Sequence, residues 1–355
     1  MGRRAKPDVD LRTLVQLALP HLHEAERVNP RRGRGDKPDI PDWLIAGMIM
    51  VAILRKKKAK SAQYRFLTER RADLAEWFGN KRFPSRATYF RRYWRTHRLL
   101  QTAIRLQGEY AIADGMVDAK NVAVDKSLIA GHGPPWHRQD RESDEVPAGV
   151  DVDTTWGYSE YDGWVQGYSY EVVVTATPGS IVFPLLATVD TASAGETKTF
   201  ALKIADLPNE TDTVSADSGY DANHLGERIE YDDKGKRTGR RFLCPENPRN
   251  NKRKKTKPCH ADKARARSRA RRADRQRFLK SKRGAKIYAR RKKTVEPFNS
   301  WLKQLFELEN RVWHRGLENN CTQILAAVFC YQLLVRFNHR LGYENGCIQW
   351  IVDTL

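Results

Sequence analysis

The chain has 355 residues, 40% of them hydrophobic, with nine Trp, thirteen Tyr and a net charge of +21. Such a composition supports a sizeable core and excludes a disordered basic tail, while the charge calls for a polyanionic partner. The charge is also segregated, at +14 over residues 1–110, −11 over 111–250, +19 over 251–293 and −1 beyond, and a simple ribosomal or RNA-binding protein leaves that acidic middle unexplained.

Residues 1–115 read as a helical unit. Leu11–Glu26 has apolar residues at helical spacing, and "RVNPRRGRGDKPDIPD" (27–42) is a Pro/Gly/charge loop. "WLIAGMIMVAIL" (43–54) is twelve residues long, too short to span a bilayer, and reads as a buried helix. Helices are expected over 61–79 and 85–106, the second with Ser85 as N-cap after Pro84. Arg91, Arg92, Arg95 and Arg98 share that helix with Tyr89, Phe90, Tyr93 and Trp94, a pattern suited to lying against DNA, or to a packed helix with solvated arginines.

From about residue 119 the texture turns to β. "NVAVD" (121–125) is a strand ending in an acid; "GYSYEVVVTAT" (167–177) and "IVFPLLATV" (181–189) are β-branched runs joined through "PGS" as a hairpin. Residues 193–207 read as a helix, "TDTVSAD" (211–217) as another strand ending in an acid, and "RRFLC" (240–244) as a fifth strand. Helices are expected again at 262–283, 286–308 and 319–341. The sum is a mixed α/β sheet flanked by helices. The "GHGPPWHRQD" loop, with His132, Trp136 and His137, is equally suited to touching DNA and to packing.

Five Cys without paired spacing imply a reducing cytosol and no disulfide framework, and no signal peptide is evident. Cys244, Cys259 and His260 lack a fourth ligand at zinc-finger spacing.

Two carboxylates at strand ends suit divalent metals, because the backbone fixes them at the rim of a sheet and neighbouring strands let them share an ion. Asp125 and Asp217 are placed in this way, and Glu296 in "KKTVEPFNSWLK" (292–303) follows the most basic stretch of the chain. Singly, each has an ordinary reading as a turn or salt-bridge residue. Their order, strand-Asp, hairpin, helix, strand-Asp, basic helix-Glu, resembles that of the DDE transposases of insertion sequences, in particular the group with a Tyr-Arg-Glu-Lys signature. "AVDKSLIAG" is similar to the family's first-Asp strand, "SADSGYDA" to its second-Asp motif and "VEPFNSWLK" to its third, over roughly 119–340, about 60% of the chain.

The resemblance implies a ribonuclease H-like catalytic domain over 116–310, with a basic insertion around 222–285, a helical DNA-binding region over 1–115 and a C-terminal helical segment over 311–355. It implies Asp125, Asp217 and Glu296 as catalytic residues holding two Mg²⁺ ions, with Mn²⁺ able to substitute. Within "SADSGYDA", Gly219 would permit a tight turn, Tyr220 would pack under the site and Asp221 would cap the next helix. Lys303, seven residues after Glu296, would contact phosphate. Tyr288 and Arg291 each lie one residue too far upstream for the signature, and Lys292 stands where its Arg belongs, so Arg291 and Lys292 are both candidates for DNA contact beside Tyr288, Arg91, Arg92 and Arg95. Pro297 predicts that a helix starts or kinks at Glu296.

The activity implied is a transposase that binds terminal inverted repeats, cleaves DNA and joins 3′-OH ends to target DNA. It would work as a homodimer or larger synaptic complex on double-stranded DNA of the cytoplasmic nucleoid. A catalytically inactive descendant that still binds DNA, and another ribonuclease H-like nuclease, are the alternatives.

Overall fold

The structure, a computed structural model, describes residues 9–29, 39–137, 146–248, 263–343 and 348–355. Asp10 caps the first helix, α1 (Leu11–Val28), by accepting from Arg12 N at 2.8 Å. The apolar 43–54 segment forms α2 (Asp42–Leu54), buried on every side from Leu44 onward. This is the arrangement expected of a helix with no polar face. No helix among the described residues is long and apolar enough to cross a membrane.

The two long helices expected next are each broken. Residues 61–79 form α3 (Lys60–Glu69) and α4 (Arg71–Trp77), meeting at Arg70. Ser85 is the N-cap of α5 (Arg86–Tyr93), its side chain accepting from Thr88 N. A 3₁₀ turn over Trp94–Thr96 then separates α5 from α6 (His97–Ala113). The break follows from tertiary hydrogen bonds: Thr322 Oγ1 donates to Tyr93 O at 3.0 Å, and the His97 ring meets Trp94 O at 2.6 Å.

Arg92, expected at DNA, is instead buried. It turns inward to Asp42, Nε donating to Oδ1 at 2.9 Å, and to the carbonyl of Ile40. Arg91, Arg95 and Arg98 stay exposed. Helical geometry turns each successive residue through about 100°, so adjacent arginines cannot share one environment.

The sheet holds six strands, β1 (Asn121–Ala130), β2 (Thr155–Ser159), β3 (Gly163–Thr175), β4 (Pro184–Thr191), β5 (Thr213–Ser215) and β6 (Arg241–Leu243). The main path runs β2-β3-β1-β5-β6, with β4 also on β3. β1, β3 and β4 are antiparallel, whereas β5 and β6 run parallel to β1. This is a mixed α/β architecture with an N-terminal helical region, consistent with the ribonuclease H-like transposase fold expected. β2 had no signal in the sequence. β1 does not end at Asp125 but continues to Ala130, because β3 pairs with it all the way to Ala130↔Gly167.

The remaining helices are α7 (Glu196–Ala201), α8 (Asn223–Glu230), α9 (Lys263–Lys280), α10 (Lys282–Tyr288), α11 (Lys292–Leu305), α12 (Leu317–Arg340) and α13 (Gln349–Thr354). α12 is buried throughout Asn320–Asn338. Inside it, Gln332 Nε2 donates to Ile104 O at 2.9 Å and to Pro184 O at 2.7 Å, joining α6 to β4. One apolar cluster runs from Val9 through the sheet to Val352, so the N-terminal helices and the sheet share a core.

Replacing Arg92 with Ala should lower stability by roughly 2–4 kcal/mol, because Asp42 and the Ile40 carbonyl lose their partner. Arg91→Ala should stay within about 0.5 kcal/mol of the parent. Chemical denaturation of the two variants checks the inward assignment of Arg92.

Candidate active site

β1 and β5 run parallel, with Ala123 beside Ser215. Asp125 and Asp217 each lie two residues further on, so they project from the same face of adjacent chains at one rim of the sheet. Asp217 is extended (φ −76°, ψ −179°), and its Oδ1 accepts from Gly219 N at 2.8 Å. Tyr220 is buried beneath, its hydroxyl donating to Glu171 Oε2 at 2.9 Å. Asp221 does not cap the next helix. Ala222 is the N-cap of α8, while Asp221 accepts from Asn247 N at 2.8 Å and Arg272 Nη2 at 2.6 Å.

α11 crosses the rim. Arg291, its N-cap, donates from Nη1 to Asp125 Oδ1 at 3.0 Å, and Asn299 Nδ2 donates to Asp125 Oδ2 at 2.9 Å. Tyr288 lies beside Arg291, whose charge opposes the upward push of burial on the phenol, whereas Lys292 is exposed. The two candidates are thereby separated: Arg291 faces the carboxylates and Lys292 faces solvent.

Glu296 lies one turn into α11, with its side chain exposed. Pro297 is inside the helix, not at its start, because α11 begins a turn earlier at Lys292. Its missing N–H costs a single bond near the N-terminal end. Lys303 is half-buried, and its ammonium makes no hydrogen bond or ion pair with the described residues. Burial lowers its pKa, against which Asp162, Asp125 and Glu309 act.

Burial pushes the Asp125 carboxyl up to about 7; Arg291 opposes this, and Asp217, Glu196 and Glu296 add to it. Glu196, at the start of α7, is likewise pushed up to about 7 by burial and by Asp217, with Lys126 opposing. Glu196 carries no motif of its own in the sequence and arrives at the start of a short helix after β4. Among the described residues, no three His, Cys, Asp or Glu side chains lie close enough to enclose an ion.

The family model for the transposase DDE domain matches residues 116–333. The chain belongs to that family. A cryo-EM structure of a piggyBac transposase synaptic complex with hairpin DNA is similar over 99% of this chain and 80% of that one, at 9% identity and a TM-score of 0.40. No curated protein matches the chain. Membership of the DDE family implies DNA transposition by phosphodiester hydrolysis, and such transposases typically use divalent metals.

The donor set of this DDE domain fits a hard cation. Two aspartates share a rim, two further glutamates act on them electrostatically, and the repulsion among them is what a divalent ion relieves.

Around the rim the basic segment divides into two roles. Arg271 pairs with Glu227, Arg272 with Asp221 and Glu246, and Arg275 with Glu230, so part of its charge fastens α9 to the acidic body. Arg267, Arg269, Arg277, Lys280, Lys282, Arg283, Lys286, Lys292 and Lys293 are exposed and lead along α9–α11 toward Asp125. Cys259 and His260 lie outside the described residues; Cys244 is buried with a free thiol. Trp136 is tied into the fold, its backbone N–H donating to Gln166 Oε1 at 2.5 Å, and His137 stacks on Trp156.

Because the Asp125 and Glu196 carboxyls sit near 7 in the metal-free fold, they bind protons more readily folded than unfolded. The stability they confer is fully present below the ordinary carboxylate range and is lost as pH rises through about 7. Metal-free protein should therefore lose stability as pH rises from the ordinary carboxylate range to about 7. Asp125→Asn should lessen that loss, as thermal melts across the range will show.

Proposed function

We propose that this DDE transposase binds the terminal inverted repeats of an insertion sequence, hydrolyses a phosphodiester to free a 3′-hydroxyl, and directs that hydroxyl at target DNA. The observation that carries the reading is the parallel register setting Asp125 beside Asp217, with α11 laid across them. Asp125, Asp217 and Glu296 would hold two Mg²⁺ ions, or Mn²⁺ in their place, which supply Lewis-acid activation at the phosphoryl centre.

The remaining work falls to the chain's own side chains. Arg291 neutralises Asp125 in the free protein and transfers its guanidinium to a phosphate oxygen as DNA enters, since a planar fork suits either oxyanion. Tyr288, beside Arg291, limits where the guanidinium can swing. Lys303, without a protein partner for its charge, meets a second phosphate two turns along α11. The exposed cations of α9–α11 and Lys292 track the backbone, joined by Arg91 and Arg95 on the helical region. Joining two ends to one target requires both to be held together, so the working form is a dimer or a larger synaptic assembly.

Asp217→Asn should abolish cleavage and strand transfer on the element's own ends while leaving end binding nearly intact. Loss of binding as well would remove Asp217 from the reacting centre. Lys303→Ala should weaken binding across sequences and reduce the slope of log K against log salt by about 1. An unchanged slope would take Lys303 off the phosphate.

A further inference from the structure

We infer that Glu196 is a fourth carboxylate of the reacting centre, sharing with Asp217 the hold on a divalent cation; this rests on the metal-dependent reading above. Glu196 opens the short helix α7, delivered by the loop that leaves β4. Its carboxylate lies against Gly219, the second residue after Asp217. A Cβ at position 219 would overlap Glu196 Oε2 and stand 3.0 Å from Asp217 Oδ1. The two acids therefore meet over a backbone position where a side chain would push the Glu196 carboxylate aside. Gly219 is not among the glycines with positive φ, so the turn does not require it and the space does.

No cation among the described residues pairs with the Glu196 carboxylate, and Lys126 acts on it only electrostatically. Lys126 on β1 spends its ammonium on Ala192 O at 2.9 Å and Ala194 O at 2.6 Å, which fixes the loop carrying Glu196. Lys203 pairs instead with Glu171, which also accepts from Thr199 Oγ1 at 2.8 Å and Tyr220 at 2.9 Å. Glu171 is thus a satisfied buried acid. The carboxylate of Glu196, half-buried beside a second carboxylate, takes no hydrogen bond or ion pair from any described residue. Asn299, only 9% exposed and bonded to Asp125 through Nδ2, keeps its Oδ1 unpartnered at the same rim. A charge complementing the end of α7 would need neither the glycine cradle nor proximity to Asp217. Oxygen donors gathered at one rim, with no cation among the described residues paired to the Glu196 carboxylate, are what a hard divalent ion takes.

The test is titration of the full chain with MnCl₂, read by calorimetry and by the metal-induced change in Tm. Glu196→Gln should bind Mn²⁺ about tenfold more weakly. Its Tm in metal-free buffer should be unchanged or higher, because neutralisation removes the repulsion with Asp217. Gly219→Ala, which keeps the carboxylate but fills its cradle, should weaken Mn²⁺ binding in the same direction. Parental affinity in both variants, with binding lost in Asp217→Asn, would overturn the role of Glu196 and leave the metal-dependent reading standing. A lower metal-free Tm for Glu196→Gln, with parental affinity in Gly219→Ala, would also overturn it, assigning Glu196 to the fold. Parental affinity in Asp125→Asn and Asp217→Asn would bring down the metal-dependent reading itself.

Discussion

A guanidinium and an amide from one helix grip the carboxylate of Asp125, and the geometry of the rim depends on that grip. Arg291 and Asn299 stand eight residues apart on α11, just over two turns, so together they fix both the position and the rotation of the helix over β1. With those set, Glu296 and Lys303 have little freedom left. One faces outward a turn from Asp125, and the other lies half-buried two turns further on. The apolar side of α11, with Val295, Phe298, Leu302 and Leu305 buried, holds the same orientation from the core. Polar clamp and apolar packing thus fix the same placement.

The acidic body and the basic segment explain each other in the same terms. Asp221, Glu227 and Glu230 are met by Arg272, Arg271 and Arg275, so a small part of the negative charge read between residues 111 and 250 is answered by α9. Such partly buried pairs carry a desolvation cost that offsets their attraction, and their main consequence is to fix where α9 lies. Once fixed, its outward cations form a ridge directed at the carboxylates. The segregation of charge along the sequence is thus partly cancelled in the fold, and what remains uncancelled is concentrated beside the rim.

What was legible in the sequence followed from local chemistry. "SADSGYDA" could be read because strand, acid, glycine and tyrosine are contiguous, and Ser85 because a cap is defined by the residues next to it. The errors share one cause, a partner distant in sequence. "NVAVD" looked complete at Asp125, yet β3 carries β1 five residues further. Arg92 could not be told from Arg91, since Asp42 lies 50 residues away. Arg291 and Lys292 were likewise inseparable until Asp125, 166 residues upstream, selected the first. Pro297 misdirected the reading because a proline in the second turn of a helix and one at its start leave the same local signal.

Gly219 shows how this limit acts at the centre itself. A glycine two residues after a catalytic-type aspartate invites a conformational explanation, and its backbone does not need one. Its role is to admit a side chain from the far end of β4, so the acidic character of the rim is set jointly by three segments that no local pattern connects. That arrangement leaves the metal-free centre electrostatically strained: burial and mutual repulsion raise two of its carboxyls together, and a single guanidinium opposes the rise at Asp125. A centre built in this way is poised for cations from outside the chain. Since Arg291 serves both the carboxylate and, in the proposed reaction, the phosphate, the arrival of DNA and the filling of the acidic rim become coupled events.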